Sequence, residues 1–218
     1  MSNLDFSQPW IQLSNGVPFF FHEEDTVSTE VIDALVTGIS RIDRFNGASH
    51  RPWSVCNHSI LCHEIAPVVC EHFVLKYSDY DDDVAYSLKA AHQKEALLHD
   101  LHEGGTTDLP SPIKRLLGKT WKDFEDKVQD RVLRYFNLDR SMLSSVLKYT
   151  DYAALYWEAN GPVTVEAYDW GFPDTFKDAA FTEALTLSAK NAVEKYNLFN
   201  NTPLESEATF RDLLNNHI

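Results

Sequence analysis

A histidine and an aspartate stand side by side near the end of an apolar segment, Ala96-Leu-Leu-His-Asp-Leu-His-Glu103. Neighbouring side chains on a helix diverge by about 100°, so His99 and Asp100 reach a common cation only if it lies between helices. Glu103 comes one helical turn beyond His99, and this spacing puts a further carboxylate beside the pair. A His-Asp dipeptide is common in proteins, so the prediction of a metal site depends on partners elsewhere in the chain.

His58 is the first such partner. It shares a helical stripe with Cys62, Ile65 and Val69, which indicates that its imidazole faces a packed interior and needs a polar partner there. A neutral imidazole is a common ligand of first-row transition metals. The alternative interpretation is a core histidine that hydrogen-bonds to a backbone carbonyl.

Asp151 is the second partner. Leu147, Ala154 and Leu155 flank it at helical spacing, so its carboxylate lies on an apolar face. A carboxylate in such surroundings is seldom buried without a counter-charge or a metal ion. An N-cap or a salt bridge is the alternative.

Five motifs in this chain resemble, in type and order, those of the HD-domain phosphohydrolases. The similarity is strongest to the bacterial 5′-deoxynucleotidases and their phage relatives, including the DatZ-type dATP triphosphohydrolases, and it runs over about Arg41 to Ala159. The motifs are Arg44-Phe-Asn-Gly, Trp53-Ser-Val-Cys-Asn-His58-Ser59, Leu97-Leu-His99-Asp100-Leu-His-Glu103, Asp108-Leu-Pro-Ser-Pro-Ile-Lys114 and Lys148-Tyr-Thr-Asp151.

The resemblance assigns a role to each of these positions. It implies four metal ligands, namely His58, His99, Asp100 and Asp151. It implies that Glu103 and Asp108 orient or deprotonate the attacking water, that Arg44 and Lys114 hold substrate phosphate, and that Phe45 packs near C2′ of the sugar. The alternative for Phe45 is a core aromatic packed beneath the N-terminal hairpin. Two histidines and two carboxylates form a mixed nitrogen and oxygen set that suits Co, Mn, Zn, Fe or Ni.

The chain departs from the family pattern at two places. Cys56-Asn57 precedes the first histidine, where family members commonly have Ala-Glu or Ser-Glu, and Thr107 stands where many relatives have glycine. Neither departure removes a predicted ligand.

The predicted function is metal-dependent hydrolysis of a deoxynucleotide phosphate ester, with dATP and dAMP as the favoured substrates by resemblance. The sequence contains no Gly-rich Walker loop, so we expect the enzyme to hydrolyse the phosphate ester as its substrate rather than to use ATP as an energy source. Two alternatives remain open. One is hydrolysis of a cyclic dinucleotide or a guanosine alarmone, and the other is a non-catalytic, metal-holding interaction domain.

The charge composition of the chain argues against some classes of binding partner. The 218 residues carry a formal net charge of -14, which argues against binding of a nucleic-acid polymer or an anionic membrane surface. No apolar run approaches the ~20 residues of a membrane span, and residues 1–10 lack a secretory n-region, so we expect a location in the bacterial or phage-infected host cytoplasm. Cys56, Cys62 and Cys70 are predicted to be reduced. The family resemblance implies a homo-oligomer.

The predicted fold is all-α, a single HD-domain helical bundle with a small N-terminal β-hairpin. We expect the hairpin over about residues 8–24, the HD core over about 28–160 and C-terminal helices over about 174–218. Asn15-Gly16 predicts a type I′ turn in the hairpin. The sequence also predicts a helix from Asp83 to Glu103 that Gly104-Gly105 ends, followed by a loop with at most a short helical turn over residues 106–119. A further helix is predicted from Ser141 to Ala159, and a long ordered loop is predicted over residues 160–174.

Overall fold

The computed structural model describes residues 7–140, 145–165 and 169–217, which fold as helices with a small antiparallel hairpin at the N-terminal end. The predicted all-α bundle with a small N-terminal β-hairpin is therefore confirmed. The strands are β1 (Trp10–Gln12) and β2 (Pro18–Phe20). The helices are α1 (Thr29–Ile39), α2 (Val55–Phe73), α3 (Asp82–Leu98), α4 (Glu103–Thr106), α5 (Ser111–Leu117), α6 (Lys119–Tyr135), α7 (Ser145–Ala159), α8 (Ala179–Tyr196) and α9 (Pro203–Asn215).

The hairpin turn differs from the predicted type I′ turn. That turn needs positive φ at both central residues, whereas Gly16 has φ 85° and Asn15 is not among the residues with positive φ. The Gly16 N–H donates to the Leu13 carbonyl at 2.9 Å, as in a three-residue loop that ends in a left-handed glycine. The Asn15 amide instead donates to the Glu30 carbonyl at 2.8 Å, so this side chain attaches the hairpin to α1.

Helix α2 is the centre of the bundle, with α3, α7 and α8 packed around it. Its N-cap is Ser54, whose hydroxyl accepts a hydrogen bond from the Asn57 N–H at 3.1 Å. Most of its residues are buried, including the predicted ligand His58, and the helix continues through Pro67. One contiguous apolar core extends from the hairpin to α9. No helix in the described ranges is long and apolar enough to cross a membrane.

The predicted end of the third helix is wrong. Helix α3 ends at Leu98, the chain turns through His99 and Asp100, and Gly104 lies inside the short α4. The glycine is needed there for close packing, because a Cβ at Gly104 would stand 2.4 Å from the Leu35 carbonyl oxygen, and a Cβ at Gly38 would stand 2.7 Å from the Gly104 carbonyl oxygen. Helix α4 therefore packs backbone to backbone against α1.

The segment predicted as loop over residues 106–119 contains a two-turn helix, α5, none of whose residues is buried. Pro112 lies in its first turn, where proline's missing N–H costs nothing, and Gly118 with φ 64° ends it. The predicted start of the next long helix, at Ser141, lies outside the described residues. Within those residues α7 begins at Ser145, and a turn of 3₁₀ helix at Asp174–Lys177 follows the loop after α7.

Candidate metal centre

Three separate parts of the fold bring the four predicted ligands together. His58 lies on α2, Asp151 on α7, and His99 and Asp100 lie in the turn after α3. His58 Nε2 is 3.2 Å from Asp151 Oδ1 and 3.7 Å from Asp100 Oδ2, and His99 Nε2 is 3.0 Å from Asp100 Oδ2. Donor atoms bound to one ion at about 2.1 Å stand about 3.0–3.4 Å apart. The separations of 3.2 Å and 3.0 Å fall within that range and the separation of 3.7 Å is longer, so two of the three pairs are spaced as ligands of a shared transition metal.

Hydrogen bonds on the far side of each ring set the tautomers of the two histidines. His58 Nδ1 donates to Glu158 Oε1 at 2.7 Å, and His99 Nδ1 donates to the Ala96 carbonyl at 2.8 Å. Each Nε2 faces the ligand carboxylates on the other side of its ring. Burial and Arg44 act to lower the pKa of His58, but Cys62, Glu158 and Asp151 raise it well above its usual range, so a bound metal ion would take the place of the proton on His58 Nε2. His99 Nε2 is buried and makes no well-aligned hydrogen bond. This arrangement is the one that a metal-binding histidine requires.

Glu158 is a functional residue that the sequence prediction missed. It is fully buried on α7 and accepts hydrogen bonds from His58, from Trp53 Nε1 at 2.7 Å and from Arg44 Nη2 at 3.3 Å. Burial acts to raise its pKa, but the charges of Arg44 and His58 hold that pKa at about 2. Its position two helical turns beyond Asp151, on the same face, was a signal that could have identified it.

The carboxylates around the two rings are held ionised. Burial alone would raise the pKa of Asp100, yet the neighbouring His99 and His58 rings and Arg44 hold it well below its usual range. Burial also acts to raise the pKa of Asp151, which its contact with His58 lowers. The Asp151 side chain is 46% exposed, so the group of ligands opens to solvent on the side of α7. The arrangement is a negatively charged recess that a cation would neutralise.

Cys62 is a further potential ligand that was predicted only as a reduced, apolar side chain. Its Sγ lies 3.4 Å from His58 Nε2, and the donor atoms of His58, Cys62 and His99 all lie within 4.8 Å of one another. Burial raises the pKa of the Cys62 thiol to about 11, so the sulfur keeps its proton. The two ionised carboxylates are therefore the stronger ligands.

Arg44 lies against the site but is already engaged by protein carboxylates. Its side chain is buried and stands 3.3 Å from Glu158 and 3.8 Å from Asp100. Burial lowers its pKa and the surrounding carboxylates raise it, with a net rise, so Arg44 remains a cation. Its Nε is buried and has no hydrogen-bond partner in the part of the chain that the structure describes. Phe45, which follows it, adopts left-handed backbone with φ 57° and packs under the guanidinium at 5.6 Å, rather than beneath the hairpin.

A second cluster lies beside the ligands and contains Glu103 and Lys114. Lys114 Nζ is 3.3 Å from Glu103 Oε1 and 2.6 Å from Glu125 Oε1, and His102 Nε2 is 3.8 Å from the same Glu125 oxygen. His102, Glu103 and Glu125 form another group whose atoms could hold a metal ion. Lys114 already supplies a positive charge there, so its ammonium stands where such an ion would stand.

The two predicted acids beside the ligands have perturbed pKa values. Burial, together with the charges of Asp100 and Asp108, raises the pKa of Glu103 well above its usual range. Burial raises the pKa of the partly buried Asp108 as well, and Arg44 opposes that rise. Glu125 behaves oppositely, because contacts with His102 and Lys114 outweigh burial and hold its pKa at about 2. Glu103 thus holds a proton more tightly than an ordinary glutamate does, as functional acids often do.

Comparison with known proteins adds little to this geometry. No protein-family model matches the chain. The chain is similar to the uncharacterized protein YfdR of Escherichia coli (strain K12), with 27% identity over 139 residues, which is 64% of this chain and 65% of that protein. The match thus spans less than two thirds of the length of that relative. What the described residues establish is a helical fold with buried side-chain groups able to hold a metal ion.

Proposed function

We propose that this chain is a metal-dependent phosphohydrolase of the HD type that hydrolyses deoxynucleotide phosphate esters, with dATP or dAMP as substrate. The observation that carries the proposal is the pair of histidines, His58 and His99, whose Nδ1 protons are both committed elsewhere. Their Nε2 atoms lie beside two ionised carboxylates, of which Asp151 is open to solvent. A structural metal site would be closed by protein ligands, whereas a catalytic site keeps open positions.

The donor set favours Co, Mn, Zn, Fe or Ni as the bound metal. A divalent cation held by His58, His99, Asp100 and Asp151 would supply a Lewis acid that activates water and polarises the scissile phosphate. The protein would contribute the orientation of the ligands, above all through the Glu158 carboxylate behind His58.

Glu103 is proposed to take the proton of the attacking water and to return one to the leaving group. Burial and the charges of Asp100 and Asp108 raise its pKa, so Glu103 accepts a proton more readily than an ordinary carboxylate does. Lys114 contacts the same carboxylate, so its ammonium would stabilise the ionised form of Glu103 after proton uptake by the product. Asp108 would assist from the loop before α5.

Arg44 and Lys114 are proposed to hold the phosphate oxygens. Both cations lie at the edge of the carboxylate cluster. An incoming phosphate would therefore share these cations with Asp100, Glu158 and Glu103 rather than find them unpaired. Phe45 packs under Arg44 and would crowd a ribose 2′-hydroxyl, which favours a deoxyribose substrate.

The test is release of phosphate or triphosphate by the purified full chain loaded with Mn²⁺ or Co²⁺. The substrate panel contains dATP, dAMP, ATP, a cyclic dinucleotide and guanosine tetraphosphate. We expect His99→Ala and Asp100→Ala to bind well below one metal per chain by elemental analysis and to lose turnover, while the exposed His22→Ala behaves as wild type. Full metal occupancy in both ligand variants would contradict the site. Turnover only of the last two substrates would favour the signalling-nucleotide alternative, and bound metal without any turnover would favour an interaction domain.

A further inference from the structure

Aromatic side chains extend from Arg44 to the loop that follows α7. The Arg44 guanidinium lies 5.6 Å from the centroid of the Phe45 ring. The Phe45 ring meets the Trp170 ring edge to face, with 6.2 Å between ring centroids and 88° between their planes. Phe45 and Trp170 together form what we call the aromatic wall. It begins beside the candidate metal centre and ends at the protein surface.

Trp170 is 49% exposed although residues next to it pack against α7. Phe172 stacks beside it with 13° between the ring planes, and Phe172 in turn packs edge to face on Tyr156 of α7 at 5.1 Å. The Asp169 side chain accepts a hydrogen bond from the Gly171 N–H at 2.8 Å, which tightens the turn around the indole. A large aromatic side chain is thus held in place with half of its surface uncovered.

The backbone at Phe45 adds an independent observation. Phe45 and Asn46 have φ 57° and 55°, a conformation that non-glycine residues rarely adopt and that is frequent at ligand sites. The His50 N–H donates to the Val163 carbonyl at 3.1 Å, which ties this segment to the one that follows α7.

We propose that the aromatic wall binds the base of the nucleotide, with the base stacked on Trp170. This inference rests on the proposed function, because it takes the phosphate to lie at Arg44 and the metal ligands. A base has a π-face that stacks on any exposed aromatic ring, and such stacking tolerates different bases. One half-exposed indole offers the area of a single base, far less than the apolar patch of a protein interface. The occupant that fits is therefore a planar heterocycle linked through a sugar to a phosphate.

The experiment measures binding without turnover. The ligands are a deoxyadenosine 5′-phosphonate in which carbon replaces the ester oxygen, and the same sugar phosphonate without a base. Isothermal titration calorimetry on the metal-loaded full chain gives both dissociation constants. The variants are Trp170→Ala, the conservative Trp170→Phe and, as a control, Tyr86→Ala, which removes an exposed aromatic from α3.

We expect Trp170→Ala to weaken binding of the nucleoside phosphonate by about 5- to 100-fold and to leave the base-less ligand unchanged. Trp170→Phe should retain most of the affinity, and Tyr86→Ala should bind as wild type. Equal weakening of both ligands would overturn the proposal, because Trp170 would then only support Phe45 and Arg44. Unchanged affinity in Trp170→Ala would overturn it while leaving the proposed function intact. Failure of the wild type to bind either ligand would overturn the proposed function itself.

Discussion

Glu158 accepts the Nδ1–H of His58 at 2.7 Å, from a position two turns beyond Asp151 on the same face of α7. One helix thereby supplies both a predicted ligand and the carboxylate that orients another ligand on α2. Such carboxylate–histidine pairs fix the tautomer of the ring and raise its basicity as a ligand. This contact makes Glu158 a part of the proposed metal site, although Glu158 is not one of the four predicted ligands.

Glu158→Gln is expected to weaken metal binding by about 10- to 100-fold, because the amide cannot satisfy His58, Trp53 and Arg44 together. Titration with Co²⁺, followed by its absorption spectrum, measures the affinity. Glu183→Gln, at an exposed position on α8, serves as the control. Wild-type affinity in Glu158→Gln would show that the His58 ring is positioned by packing alone.

Glu103→Gln is expected to keep the metal and to lower kcat by about 10²- to 10⁴-fold, the usual contribution of general acid-base catalysis. The amide keeps the size of the side chain, so Lys114 still has a partner in Glu125 and the fold should be retained. Metal content and kcat are measured on the same preparation, with the exposed Glu194→Gln as control. A kcat equal to that of the wild type would show that Glu103 only forms an ion pair with Lys114 and takes no part in acid-base catalysis.

Phe45→Ala is expected to reduce the preference for deoxynucleotides. Crowding of an unpaired 2′-hydroxyl by the ring costs about 1–3 kcal/mol, so wild-type kcat/KM should favour dATP over ATP by roughly 10- to 100-fold. The variant should bring that ratio close to one. Tyr135→Ala, which removes a partly buried aromatic from α6, should leave the ratio unchanged. If both substrates slow equally in Phe45→Ala, the ring supports the local fold and sugar selection lies elsewhere.

The lowered pKa of Glu64 predicts how the free energy of unfolding depends on pH. Burial acts to raise its pKa, but hydrogen bonds from His63 and Tyr196 and the charge of Lys195 bring it to about 2. Because this folded-state pKa lies below the unfolded value of 4.5, the stabilisation is complete above about pH 4.5 and is lost as pH falls towards about 2. Glu64→Gln should therefore lower the free energy of unfolding by about 1–2 kcal/mol at pH 7, since the side chain is 20% exposed and solvent screens part of the effect.

Urea denaturation at pH 7 and pH 3 measures this effect. The difference between wild type and Glu64→Gln should be smaller at pH 3, where the unfolded wild-type chain already binds the proton. A difference that stays the same at both values would show that Glu64 acts through packing and neutral hydrogen bonds.

The sequence was most informative about features that depend on the spacing of residues within one helix. The buried stripe of α2 was visible from the spacing of His58, Cys62, Ile65 and Val69. The four predicted ligands converge because α2, α7 and the turn after α3 are neighbours in the bundle. Their convergence could be predicted only through the order of the motifs, since no local pattern says which helices are neighbours.

Other features depend on long-range contacts that a local pattern does not contain. Gly104 was interpreted as a helix stop, whereas its role is close approach to Leu35 in another helix. Asn15 was expected in a left-handed turn, but its amide is used to reach Glu30. Glu158 and Glu125 were missed because a buried glutamate and an exposed one look alike in a sequence until their partners are known.

The backbone contact between α1 and α4 limits how this protein could be stabilised. Replacement of a helical glycine by alanine commonly raises stability, and Gly38 and Gly104 would be natural candidates for such engineering. Here each added methyl group would meet backbone atoms less than 3 Å away. Helix α4 begins at Glu103, so separating the two helices would move the proposed acid away from the neighbouring ligands. At these two positions alanine would favour the helix but would displace the proposed acid. Glycine therefore preserves the position of Glu103 and gives up some helix stability.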